Sequence, residues 1–70
     1  MKLYHVEFET ACCMEDRECM YILRSAKKPT TRQAENALHT KMYSGAIYID
    51  FIREISELEI RNKKKIVIEI

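Results

Sequence analysis

Two stretches of alternating side chains limit what this chain can become. Between Leu3 and Ala11, Tyr4, Val6, Phe8 and Thr10 fall on one face of an extended strand; Leu3, His5, Glu7 and Glu9 fall on the other. Cys19 to Ser25 repeats the period with Tyr21 and Leu23. Period two belongs to a strand with one side buried. The polar Met14, Glu15, Asp16 and Arg17 between the two runs read as a four-residue hairpin loop. That loop sets Cys12 opposite Cys19, Thr10 opposite Tyr21, Phe8 opposite Leu23 and Glu7 opposite Arg24. Both apolar sets then share a face, and a slip of one residue would separate them.

The next segment changes period. Pro29 ends the extended run, and Thr30 with Gln33 has capping-box spacing, in which hydroxyl and amide satisfy orphan donors at a helix start. Ala34, Ala37, Leu38 and Met42 recur at helical spacing, which predicts a helix over about residues 31–43 that lies close on a sheet. Gly45 is placed to supply a left-handed residue after its last turn. Ile47, Ile49 and Phe51 alternate against Tyr48 and Asp50, whereas farther on Leu58 and Ile60 carry the apolar face. The parity changes near Ile52 to Ile55, so a single strand must bulge, bend or break there; a short helix over Asp50 to Glu59 is the alternative. Asn62, Lys63 and Lys64 read as a hairpin loop before Ile66, Ile68 and Ile70, setting Ile60 against Ile66 and Leu58 against Ile68. The expected fold class is α+β: an antiparallel β-sheet with a single helix on one face, in the order β-β-α-β-β.

Seventy residues with one Gly, one Pro and 47% hydrophobic content predict one folded domain over residues 1–70. Twelve Lys and Arg stand against eleven Asp and Glu, a formal charge of +1. Such a balance produces no molecule-wide field to gather nucleic acid, excludes an acidic nucleic-acid mimic, and favours self-association. The start MKLYHVEFET has no apolar run of signal-peptide length, and no stretch suffices to span a bilayer. A cytoplasmic location without membrane contact is therefore expected. The odd count of three cysteines, which precludes a complete disulfide framework, fits a reducing compartment.

Cys12, Cys13 and Cys19 with His5 could number four soft ligands, but adjacent strand cysteines point to opposite faces and cannot readily share a tetrahedral ion. Glu9, Glu15, Asp16 and Glu18 surround the thiols, whereas a redox thiolate needs cations or a helix N-terminus beside it. The pattern thus predicts no metal and no cofactor. Histidines occur only at His5 and His39, and the sequence lacks a Gly-x-Ser-x-Gly elbow, a phosphate-cradling glycine loop and a His-x-x-x-His pair. No enzyme activity is expected.

Two kinds of surface remain as binding candidates. Leu3, Met20 and Ile22 join His5 on the sheet face that one helix leaves uncovered, which suits a protein partner; a homodimer is expected through this face or through a sheet edge. Lys27, Lys28 and Arg32 before the helix, and Arg61, Lys63, Lys64 and Lys65 in the last hairpin, form basic loops over residues 27–32 and 61–65. These suit phosphates and define the alternative, a small nucleic-acid-binding protein. Interleaved aromatics of the kind that stack bases are absent from both.

The layout of two strands, a helix opening at TTRQAENAL and a strand running into IREISELEI resembles small β-β-α-β proteins of phages and mobile elements, some of them anti-CRISPR inhibitors. The final IVIEI strand and its basic turn depart from that pattern. The resemblance implies a non-enzymatic binder, an inhibitor that blocks a larger host protein or nucleoprotein complex or a protein that docks on nucleic acid, and it assigns no residue.

Overall fold

The structure, a computed structural model, describes residues 1–10, 19–41 and 45–70. In chain order its elements are β1 (Lys2–Thr10), β2 (Met20–Ser25), α1 (Thr31–Lys41), β3 (Ile47–Ile55), α2 (Glu57–Ile60) and β4 (Lys65–Glu69). The strands form one four-stranded sheet in the order β3-β1-β2-β4. β1 is antiparallel to both β2 and β3, whereas β4 runs parallel to β2. The α+β class and the helix on a sheet are as expected. The sheet, however, is mixed, and β3 and β4 lie at opposite edges rather than in a hairpin.

The alternation in β1 and β2 puts Tyr4, Val6, Phe8, Tyr21 and Leu23 into one core with Ala34 and Leu38 of α1, Ile47 and Ile68. Phe8 and Tyr21 meet edge to face, ring centroids 5.0 Å apart, the geometry that the ring quadrupoles favour. Leu38, Leu23 and Val6 are almost completely buried, each contributing about 1.5–3 kcal/mol through removal from water. The helix begins where its capping box predicts: the Thr30 amide donates to Gln33 Oε1 at 3.0 Å, and the Gln33 amide to Thr30 Oγ1 at 3.1 Å.

The β1–β2 register differs from the expected one. Leu23 pairs with Tyr4 and Arg24 with Leu3, four positions from the pairing with Phe8 and Glu7 that a short loop demanded. A shift by an even number leaves every side chain on its own face, so alternation alone cannot detect it. The expected loop Met14–Arg17 and the pairing of Cys12 with Cys19 involve residues outside the described ones. Met42 and the predicted end of the helix at residue 43 fall outside them too. Gly45 does not have a positive φ, so it is not a left-handed cap.

The third strand does bulge, but at Asp50 and not near Ile52 to Ile55, which continue a regular ladder, and a helix begins only at Glu57. Phe8 faces Ile49 and Glu7 faces Phe51, which leaves Asp50 as the extra residue. Ile47 and Ile49 before it, and Ile52 after it, thereby reach the same α1-side core. Beyond it Ile55 turns to the opposite face, where it joins Ile22 and Ile60 in a second, smaller core with Leu3 and Met20 against it. Ser56–Ile60 is therefore not a strand. The Ser56 amide and Glu59 Oε1 lie 3.5 Å apart across the first turn of α2, and Arg53 Nη1 lies 3.6 Å from Glu59 Oε2.

Both crossovers follow from chain direction. The β2-α1-β3 connection passes over β1 in one direction, and the β3-α2-β4 connection returns across β1 and β2. Parallel crossovers in a sheet take one hand, so two that run in opposite directions must use opposite faces. That puts α1 and α2 on different sides.

Candidate protein-docking face

The α2 side of the sheet combines a small covered core with a large open margin. Ile22 is fully buried beneath Ile55 and Ile60. It therefore belongs to the interior and cannot contribute to an exposed face with Leu3, His5 and Met20. His5 is also buried, 9% exposed, between Ile22 of β2 and Arg53 of β3. Its ring meets Phe51 edge-on, centroids 5.9 Å apart, and its Nε2 lies 3.3 Å from Glu7 Oε1. Burial is the main influence that lowers its pKa below the ordinary 6.5; Glu7 opposes the shift, and Arg53 and Lys63 add to it. Nδ1 is buried with no hydrogen-bond partner among the described residues. Leu3 and Met20 are half-buried.

The apolar surface lies beyond the residues that the alternation singled out. Leu58 projects from α2 at 76% exposure, and Met1 (76%), Tyr48 (61%), Phe51 (45%) and Val67 (40%) are also open. Leu58 is exposed because Ile60 is buried: residues two apart on a helix point nearly opposite ways. Val67, Phe51 and Tyr48 share the α2 side with their strand partners Ile22, Glu7 and Glu9. An open groove of about 710 Å³ runs along this side, with Met1, Leu3, Ile55, Ile60 and Val67 as its apolar lining.

Charge around the groove has a sign. Lys2, Arg24, Arg61 and Lys65 line it, against Glu54 and Glu57. Lys2 Nζ lies 3.7 Å from Glu54 Oε1, and Arg24 Nη1 lies 3.4 Å from Glu69 Oε1. Lys65 Nζ donates to the carbonyl of Ile60 at 3.2 Å, tying β4 to the end of α2. The groove is an apolar trough with a basic border.

The two basic clusters do not converge. Lys27, Lys28 and Arg32 are exposed where β2 leaves the sheet, whereas Lys63, Lys64 and Lys65 adjoin Met20 where β2 begins. The length of β2 separates them by about 17 Å at the usual rise of a strand. Arg61 and Lys65 of the second cluster belong to the groove border. Cys19 is a buried free thiol, its Sγ 3.6 Å from the carbonyl oxygen of Met20; Cys12 and Cys13 are outside the described residues.

Of the exposed apolar residues, Leu58 carries a signal in the sequence; Phe51, expected on the face of Ile47 and Ile49, is moved off it by the bulge at Asp50. Ser56-Glu57-Leu58-Glu59 has capping-box spacing, the signal that would have made this segment a helix and turned Leu58 outward. Among the described residues, no helix is long and apolar enough to cross a membrane. No family profile, curated protein or solved structure matches the chain.

Proposed function

We propose that this protein is a small non-enzymatic binding module that occupies a surface of a larger protein through its α2 face. The layout of its elements suits a phage or mobile-element inhibitor acting on a host protein in the cytoplasm. The observation that carries the reading is that Leu58, Phe51, Val67, Met1 and Tyr48 are exposed on the side of the sheet that α1 does not cover, Met1 and Val67 lining the groove there. Large apolar side chains that share a face with a groove are the usual anatomy of a docking core. The basic border suits an occupant whose apolar projection is flanked by carboxylates, and the apolar lining favours a protein over a nucleic-acid backbone.

Affinity capture from host lysate with the wild-type chain, Leu58→Asp and Lys27→Glu/Lys28→Glu tests this. A specific partner should survive nuclease treatment, lose at least about tenfold in affinity with Leu58→Asp, and ignore the lysine changes. A partner lost on nuclease treatment, with tight and steeply salt-dependent binding of the pure chain to a short oligonucleotide, would establish the nucleic-acid reading instead.

A further inference from the structure

The outer edge of β4 is open and self-complementary. β4 lies at the end of the sheet and pairs with β2 on its inner side only. The ladder begins with the Met20 amide donating to the Lys64 carbonyl at 2.9 Å and ends with the Ile70 amide donating to the Arg24 carbonyl at 3.0 Å. In a parallel ladder with these ends, the backbone groups of Ile66 and Ile68 point toward β2. Those of Lys65, Val67 and Glu69 therefore point outward, toward no other strand among the described residues.

We infer that two copies of this chain pair antiparallel through their β4 strands, about a two-fold axis at Val67. Every level of the strand agrees with that register. Val67 lies opposite Val67 of the second copy, and Lys65 opposite Glu69, so each facing pair of outward residues can exchange both backbone hydrogen bonds. On the α2 side, each copy's Lys65 meets the other's Glu69, giving two opposite-charge pairs. On the α1 side, Ile66 meets Ile68, an apolar cross-strand pair. Glu69 already lies beside Arg24, yet its side chain is 68% exposed and has acceptor capacity left.

The other edge is protected and this one is not. β3 carries the Asp50 bulge, a device that kinks an edge strand away from pairing. β4 has no bulge and no Pro, and its sequence KIVIE is rich in β-branched residues. Pairing would produce a continuous sheet of twice four strands, with both α1 helices on one side and both α2 grooves on the other. Val67 and Lys65 line the groove, so the two grooves would adjoin across the new interface. The pairing stands whether or not the α2 face binds a host protein.

Sedimentation equilibrium over a concentration series, with amide hydrogen exchange by NMR, tests the inference. The mass should rise from 8.3 kDa toward twice that value. The amides of Lys65, Val67 and Glu69 should gain protection together as concentration rises. Val67→Pro removes an outward donor without touching the bonds of Ile66 and Ile68 to β2, and should leave a folded monomer. Glu69→Lys sets like charges opposite each other and should weaken association by about tenfold, whereas Lys65→Glu/Glu69→Lys should restore it. A monomer at every concentration, or a dimer in which those three amides exchange freely, would overturn the proposal. If Val67→Pro fails to fold, the charge swap and the exchange data still decide.

Discussion

His5 holds a ring nitrogen, Nδ1, that is buried without a hydrogen-bond partner among the described residues. Its neutral form is favoured in the fold, because burial lowers its pKa below 6.5 despite Glu7 and the more remote Glu59. Above pH 6.5 the imidazole is neutral in both folded and unfolded chains and contributes no pH dependence. As the pH falls below 6.5 the unfolded chain takes up a proton that the folded chain resists, so stability declines until the folded-state pKa is passed. Urea unfolding from pH 7.5 to 5 should show this decline, and His5→Leu should remove His5's share of it. That variant should also keep stability at pH 7.5 within about 1 kcal/mol, since deleting an unsatisfied buried polar atom offsets the lost contact with Glu7. Thr30, in contrast, has its polar groups satisfied, both of its capping bonds with Gln33 being made. Thr30→Ala should cost about 1 kcal/mol, read as a lower thermal midpoint.

The elements show what one residue of register does. Asp50 is exposed, and its role is to occupy a position in β3. Deleting it would straighten the ladder and carry Ile47 and Ile49 from the α1-side core to the opposite face. Ile47 is buried and Ile49 half-buried, so the deletion should cost several kcal/mol at about 1.5–3 kcal/mol per buried side chain. That is comparable with the whole stability of a small domain. Circular dichroism of the deletion variant should show loss of a cooperative transition, while Asp50→Asn should melt like the wild type. In α2 the burial contrast predicts a matching contrast in stability. Ile60→Ala should destabilise by about 2–4 kcal/mol. Leu58→Asp should leave the unfolding midpoint in urea nearly unchanged, because Leu58 is 76% exposed.

At the scale of the molecule, the last strand is structural rather than an appendage. Ile68 of β4 enters the main core beside Leu23 and Leu38, and β4 covers the outer backbone of β2. Removing residues 61–70 would open that edge of the sheet and uncover both cores, since Ile60 would lose its tether to Lys65. The truncated chain should lack a cooperative thermal transition and bind a hydrophobic dye. A native-like melt of this truncation would show that the first three strands and α1 suffice. The small β-β-α-β layout that the sequence resembles therefore describes only part of this architecture.

Local chemistry determined which side chains lie together on each face and where α1 begins. Alternation in Leu3–Ala11 and Cys19–Ser25, helical spacing from Ala34 to Leu38, and the Thr30–Gln33 box act over neighbouring residues, where the physics is short-ranged and readable. The same signals announced a defect in the third strand, although its position at Asp50 depends on holding Ile49 against Phe8 and Ile52 against Val6. Register and partner choice came only from the tertiary structure. A shift by four keeps every face unchanged, so only the summed packing of α1, β3 and β4 on the hairpin can select it. Ile66 and Ile68 alternate equally well beside β3 or β2; the crossover hand and the burial of Ile60 over Ile22 place them beside β2. That choice exposes the β4 edge and turns Leu58 to the surface.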